Sequence, residues 1–347
     1  VAVTRAASEF AATIAREIAA SGERVVGLDA RTGVAGDVEW RLTDIATPAV
    51  VDALQDVDVV VHAAYEADLG GALEEGPEAR RTRLVREVQS LSTAAAAAGV
   101  SHLVVISSAM VYGARPENPV PLPEDSPRRA DDAEGLVADL LEVESILDTA
   151  RQVHPGLRIT SVRPAALVGP GVDTIITRHF EAPRLLALRG GNPAWQFCHV
   201  EDLARAIVTV LHESLPPVVA VGALDTLTQA EVEEIAGMRR VELSAAAAQG
   251  AADRLHRLGV LPLPATDLAY VSQPWAVAPT SLSRVGWFAA YDNATALSVL
   301  LEGVRGHRAV MARRLQRRDA ALGAGAASAA VAAVATAALM RRRRRRG

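Results

Sequence analysis

The sequence predicts an α/β fold built on a parallel sheet, and three observations predict it. Val1–Asp29 reads as strand, tight turn, helix, strand and acidic residue. Val57–Ala64 and Leu103–Ser108 are apolar runs without alternation, as expected of strands covered on both faces. Helix-periodic stretches fall between such runs, the spacing that produces parallel strands with helical crossovers.

Taken in order, Val1–Thr4 is a short buried strand. Ala6–Ala20 is a helix with Phe10, Ile14 and Ile18 four apart, stopped by Ser21-Gly22. Arg24–Leu28 is the second strand, ending at Asp29. Trp40–Ile45 reads as a third strand ending in Asp44, and Ala49–Leu54 as a short helix. Ala67–Glu78, rich in Gly and Glu, reads as loop. Arg80–Ala98 is a long helix closed by Gly99. After the strand Leu103–Ser108 comes a Pro-rich loop, Pro116–Pro127, and a helix over Asp132–Val153. That helix carries an apolar stripe of Leu136, Leu140, Val143 and Leu147.

Arg158–Val168 is a further strand, Arg178–Leu188 a helix and Gly190–Asn192 a turn. Over Gln196–Ala204 a strand meets a helix capped by Glu201 or Asp202. Val218–Ala223 is a strand, Thr228–Ala236 a helix opened by a Thr cap, and Arg239–Leu243 a strand. Ala245–Leu258 is a helix followed by the loop Gly259–Pro264, and the helix Asn293–Glu302 ends the globular part.

Half of the 347 residues are apolar, enough to bury a large core. Aromatics make up 3%, so that core is Ala, Val and Leu. There is no lysine; every basic side chain is Arg. The single cysteine, Cys198, excludes an intrachain disulfide and a cysteine-based zinc site, and no metal site is expected. The formal net charge of −5 includes the six arginines Arg341–Arg346, so the body before them is more acidic still. That balance argues against broad nucleic-acid binding by the globular part, and any attraction through Arg341–Arg346 would be unspecific. No export segment precedes the first strand, so a cytoplasmic location is expected.

Several short motifs then point to one family. The first turn keeps Thr4 and places Arg5, Ser8 and Ala11 where T-G-x-x-G-x-x-G has glycines. His62-Ala63-Ala64 matches H-x-A-A, and Ser107–Gly113 matches S-S-x-x-V-Y-G. Glu124–Pro127, Arg163-Pro164 with Gly169-Pro170-Gly171, Gln196–Ala204 and Pro279-Thr280…Gly286-Trp287 follow in family order. Over residues 1 to about 303 the chain resembles the extended short-chain dehydrogenases/reductases, in the NAD-dependent epimerase/dehydratase family of nucleotide-sugar enzymes.

The resemblance implies a Rossmann-type parallel sheet flanked by helices, with a smaller α/β substrate lobe and NAD(P) as cofactor. It assigns cofactor contacts to Thr4, Arg5, Ser8, Asp29, Asp44, Ile45, His62, Ala63, Ala64, Ser107, Arg163 and Pro164. Asp29 would take the adenosine ribose hydroxyls and favour NAD, unless Arg31 reverses that, or it is a plain turn residue. Arg5 either pairs with a phosphate or sits on the surface of a turn that has lost its ligand. His62 is either a cofactor-lining or a core residue. Ser108 matches the catalytic Ser/Thr, and Tyr112 packs beside the usual redox tyrosine. His199 would either face a sugar phosphate or serve structurally.

The departures are chemical. Active members open the helix corresponding to Asp132–Val153 with Y-x-x-x-K, whose Tyr moves a proton and whose Lys lowers its pKa. Those two positions fall on Leu136 and Leu140, and without lysine the motif cannot occur anywhere. Ala109-Met110 stand where dehydratases place Asp-Glu, and Leu84, Glu87 and Val88 where Asn and Gly-Thr are common.

The expected organisation is a Rossmann-type domain over 1–164, a substrate lobe over 165–303 interleaved with it, and an Arg- and Ala-rich tail over 304–347. The uncharged stretch Ala320–Met340, as a helix about 31 Å long, is a possible membrane span, an anionic-lipid anchor or a free tail. Three functional readings follow: a family member without Tyr/Lys catalysis that binds a nucleotide or nucleotide-sugar or acts as a scaffold; an active epimerase or reductase using Ser108 with a non-standard acid/base; and a membrane-associated partner protein. The resemblance also implies a homodimer as one option, paired through the Asp132–Val153 helix.

Overall fold

The computed structural model describes residues 1–33, 38–65, 67–130, 133–248, 250 and 265–317. The first half runs β1 (Ala2–Thr4), α1 (Glu9–Ala20), β2 (Val26–Asp29), β3 (Glu39–Leu42), α2 (Val50–Ala53) and β4 (Val59–Ala63). Then come α3 (Leu69–Glu75), α4 (Pro77–Ala97), β5 (His102–Ile106), a 3-10 turn (Ala109–Tyr112), α5 (Gly135–Val153) and β6 (Arg158–Pro164). The second half adds β7 (Ala166–Val168), α6 (Ile175–Glu181), β8 (Leu185–Leu188), β9 (Phe197–His199), α7 (Val200–His212) and β10 (Val218–Val221). It ends with α8 (Gln229–Ala236), β11 (Arg240–Leu243), a second 3-10 turn (Ala265–Val271), α9 (Thr280–Arg284) and α10 (Asn293–Arg317).

Among the described residues, seven strands form one sheet in the order β10-β6-β5-β4-β1-β2-β3. Every neighbouring pair is parallel, with Ala2 of β1 opposite both Val26 and Val60. The chain steps from β1 outward to β3, then returns to β4 on the other flank. The carboxyl end of β1 is therefore the point where strand order reverses, the place where open α/β sheets bind ligands.

Each face of the sheet carries a hydrocarbon layer. On one, Phe10, Ile14 and Ile18 of α1 pack with Leu203, Ile207 and Val210 of α7. On the other, Leu84, Val88 and Leu91 of α4 pack with Val143 and Leu147 of α5. Each such side chain stabilises by about 1.5–3 kcal/mol when fully buried. The second half of the chain contributes two small parallel pairs, β7–β9 and β8–β11, while its β10 closes the main sheet beside β6.

The structure corrects five local expectations. The segment read as loop over Ala67–Glu78 contains α3, because Asp68 caps it by accepting from the Gly71 N–H at 3.0 Å. A Cβ at Gly71 would come 2.8 Å from the Asp68 carboxylate and push that cap aside. The helix expected over Arg178–Leu188 ends at Glu181. Ala182 precedes Pro183 and is extended (ψ 152°), and the rest becomes β8. The third strand ends at Leu42, and Asp44 lies beyond it in a turn, accepting from the Ala46 N–H at 3.0 Å.

The cap of α7 is His199, not Glu201 or Asp202; its ring accepts from the Glu201 N–H at 3.3 Å. Asp202 instead accepts from the N–H groups of Ala290 and Tyr291 and pins the approach to α10. That helix runs on past Glu302 to Arg317. Among the described residues no helix is long and apolar enough to cross a membrane. The stretch 320–340 lies outside them, as does most of the helix expected over Ala245–Leu258.

Candidate functional site

The candidate site is the crevice at the carboxyl ends of β1, β4 and β5, with α1 on one side and α4 and α5 on the other. Its β1 end is a turn of the shape a glycine would favour. Arg5 occupies it with φ 52°, in the left-handed region, at a cost of about 1–2 kcal/mol for a residue with a Cβ. Its guanidinium reaches α4 and donates to the Glu87 carboxylate at 2.6 Å. Arg83 approaches the same carboxylate at 3.4 Å and is itself clamped by Glu75 at 2.7 Å. Burial pushes the Glu87 carboxyl above its ordinary range. Arg5 pulls against that shift, and Asp44 and Asp29 add to it.

The other residues assigned to this end are engaged within the protein. Ser8 caps α1, accepting from the Ala11 N–H at 3.2 Å. Asp29 accepts from the Ala7 N–H at 3.1 Å and the Arg31 N–H at 3.3 Å. Gly33 lies on that turn: a Cβ there would come 2.6 Å from the Ala7 Cα and 3.1 Å from the Trp40 ring. Ile45 is buried in the core.

Thr4 and His62 are fully buried, their side chains 2.9 Å apart, and the Thr4 hydroxyl also accepts from the Ala63 N–H. Burial, with Arg5 nearby, pushes the His62 imidazole down to about 3, so it stays neutral. His62 thus has its ring in the sheet interior, and Ala63 and Ala64 are buried beside it.

At the β5 end, Ser107 is buried and its N–H bonds the Val162 carbonyl at 2.8 Å. Ser108 accepts from the Met110 N–H at 3.2 Å and caps the first 3-10 turn. The Tyr112 hydroxyl donates to the Glu124 carbonyl at 2.6 Å, and the Arg163 guanidinium sits 4.9 Å from its ring centre. Arg163 makes a two-pronged pair with Glu144 at 2.9 and 2.7 Å, with both side chains buried. Burial pushes Glu144 up, but Arg163 outweighs it and the carboxyl stands below its ordinary value. Pro164 ends β6 in register with Val221.

Leu136 and Leu140 come together with Ala64, Tyr65, Leu84 and Met110 around a cavity of about 20 Å³, room for one water. One carboxyl lines this hydrocarbon: Asp267, which sequence reasoning missed. It is 7% exposed, and neither oxygen has a hydrogen-bond partner among the described residues. Burial, then repulsion from Glu134, raises it to about 7. Nothing in the stretch A-T-D-L-A-Y distinguishes it from an ordinary helical-turn Asp. His199 is elsewhere, buried and stacked on Tyr291 at 3.9 Å.

Residues 6–222 match the model of the NAD dependent epimerase/dehydratase family. The chain belongs to that family. Among its relatives is an uncharacterised protein of Mycobacterium tuberculosis (strain ATCC 25618 / H37Rv), 28% identical over 177 residues, 50% of this chain and 46% of that one. Another, from Sinorhizobium fredii, is 27% identical over 71% of this chain and 62% of its own length. The chain thus spans 46% and 62% of the length of these two curated relatives.

Solved structures with the same fold include the UDP-glucose 4-epimerase of Thermus thermophilus in complex with NAD. It has a TM-score of 0.65 and 22% identity, over 88% of this chain and 98% of that one. An NAD-dependent NDP-hexosamine 5,6-dehydratase of tunicamycin biosynthesis also scores 0.65, at 20% identity, over 88% and 97% of the two chains. The UDP-N-acetylglucosamine 4-epimerase of Bacillus cereus scores 0.60 at 20% identity, over 88% and 99%.

The family implies a nicotinamide dinucleotide, and this chain's residues do not fit one as they stand. The β1 end is bridged by Arg5 and Glu87, and the α5 end is lined by leucines around a space for one water.

Proposed function

We propose that this member of the epimerase/dehydratase family lacks tyrosine-and-lysine hydride transfer and acts as a nucleotide- or nucleotide-sugar-binding protein or scaffold. The observation that carries this reading is the cavity of about 20 Å³ among Leu84, Leu136, Leu140 and Met110, where a proton-transferring pair is replaced by hydrocarbon. The purified chain, titrated with NAD(H) and UDP-sugars by calorimetry and assayed for sugar conversion, is expected to give no sugar-dependent turnover. Micromolar NAD(H) binding together with turnover would overturn the reading.

One observation favours a second reading, an active NAD(P)-dependent enzyme with a non-standard acid/base. Asp267 lines the same cavity with a carboxyl that titrates near neutrality. On that reading Ser108→Ala and Asp267→Asn each abolish turnover; unchanged turnover in both removes it. Two attachments belong to the proposal and have their own tests. A homodimer through α5 would show in light scattering, and lipid association of the tail would be lost on deleting residues 322–347.

A further inference from the structure

We propose that the second 3-10 turn, Ala265–Val271, is a proton-operated cover on the α5 side of the crevice, closed while the Asp267 carboxyl is neutral and lifted when it ionises. This goes beyond the binding reading and is independent of whether hydride transfer occurs.

The turn packs against α6, and Asp267 lines the cavity it shares with Tyr65, Met110, Leu136 and Leu140. Both carboxyl oxygens are buried without a hydrogen-bond partner among the described residues. The space of about 20 Å³ holds one water. An ionised carboxylate accepts at about four sites, and one water leaves most of them empty. The surrounding hydrocarbon supplies no donor, so a buried charge there is costly. Once ionised, Asp267 needs either a new partner or an exit to solvent.

The groups facing it offer no partner. From α4, Arg80 attracts Asp267 but is tied to Asp139 at 2.7 Å and to the Ala72 carbonyl at 3.3 Å. At the start of α5, Glu134 repels it. After β4, burial keeps Tyr65 neutral, with its hydroxyl on Thr174. On the turn itself burial, then Asp267, push the Tyr270 hydroxyl up. From α6 and its cap only Ile175 and Thr174 reach the cavity.

The two halves of the turn are anchored unequally. In the carboxyl half the buried Tyr270 donates its hydroxyl to the Met110 carbonyl at 2.8 Å, and the Trp275 ring N–H donates to the Tyr270 carbonyl at 2.9 Å. In the amino half, neither the Thr266 hydroxyl nor the Asp267 carboxyl bonds anything among the described residues. That half is the cheaper piece to release, while the leucines of α5 stay packed. Closed, Asp267 is raised to about 7 by burial, then by Glu134; lifted into water it returns toward 3.8. The closed form therefore holds the proton more tightly. Lifting grows about tenfold per pH unit from about pH 4 and levels above about pH 7.

The test is amide hydrogen exchange of the full chain, read by mass spectrometry from about pH 5 to 8, with each rate divided by that of an unstructured peptide at the same pH. Protection over residues 265–271 is expected to fall at least about tenfold between pH 5 and 7 and then level. At pH 7 it should lie at least about tenfold below that of α1, which marks opening short of global unfolding. Asp267→Asn has no proton to lose there, so its turn should keep one level of protection throughout. The proposal is overturned if wild-type protection over the turn does not change with pH, if it equals that of α1 at every pH, or if the fall survives Asp267→Asn.

Should Asp267→Asn fail to fold, Glu134→Gln at an exposed position serves instead. Removing that repulsion should raise protection of the turn at pH 7, and unchanged or lower protection overturns the proposal equally. Wild-type turnover of NAD with a UDP-sugar would sink the non-catalytic reading and leave the cover standing. A turn indifferent to pH does the reverse.

Discussion

Over β1 the crevice is closed by charge, where Arg5 meets Glu87; over β5 and α5 it is closed by hydrocarbon, where Leu84, Leu136 and Leu140 meet Met110. The two closures differ in what can undo them. An ion pair at a partly exposed site yields to another anion or to a proton, because a substitute partner restores most of what is lost. Packed leucines have no substitute: displacing them exposes apolar area at about 25 cal/mol per Å² and gives nothing back. The first closure is therefore reversible chemistry and the second is core.

Just behind the hydrocarbon end lies a charge pair that should behave as core too. Arg163 and Glu144 are 5% and 0% exposed, tie β6 to α5, and cannot trade partners with solvent. Arg163→Ala leaves a buried carboxylate facing the more distant Arg128, at 3.5 Å. A loss of about 3–5 kcal/mol in urea unfolding is expected. A loss below about 1 kcal/mol would mean that this end is as exchangeable as the Arg5 end, and the contrast would fail.

Asp267 gives the next largest effect, with the opposite sign. Its folded value of about 7 stands above the ordinary 3.8, so the folded state binds the proton more tightly than the unfolded chain. Its contribution is therefore fully present below about pH 4 and is lost as pH rises through 7. At pH 8 the ionised carboxylate costs about 4 kcal/mol at most, and Asp267→Leu should recover much of it while filling the cavity. The gain over wild type, measured by urea unfolding from pH 4 to 8, should grow up to about pH 7 and then level. A gain independent of pH would mean that only packing changed.

How much of this was legible in the sequence follows the same division. Strands such as Val59–Ala63 and the stripe on α5 were readable because burial on both faces, or on one helical face, imposes an apolar pattern of fixed period. The absence of a Y-x-x-x-K motif was readable because the chain holds no lysine. The charge closure was half readable. Arg5 stood out against an expected glycine, but Glu87 registered only as a replaced Gly of a Gly-Thr pair. Nothing local joins residues 82 apart; that contact exists only once the sheet order places α4 across from the first turn. Asp267 was illegible for the same reason, since the absence of a partner is a tertiary fact. The α3 and β8 errors were local: Gly70-Gly71 masked an Asp cap, and Pro183 was not given its helix-stopping weight.

The smallest expected effect is also the sharpest test of the contrast, because two opposing terms meet in it. Arg5→Gly relieves a left-handed residue by about 1–2 kcal/mol, yet strips the nearly buried Glu87 of its closest partner. The single variant should therefore lie close to wild type. In the Arg5→Gly, Glu87→Gln double variant the strain is relieved with no stranded charge, so stability should exceed that expected from the two single changes by about 1–2 kcal/mol. Raising the salt concentration should shrink that coupling, because Arg5 is 17% exposed and its field reaches solvent. A salt-independent coupling would place the pair with Arg163 and Glu144, as a structural tie rather than a displaceable closure.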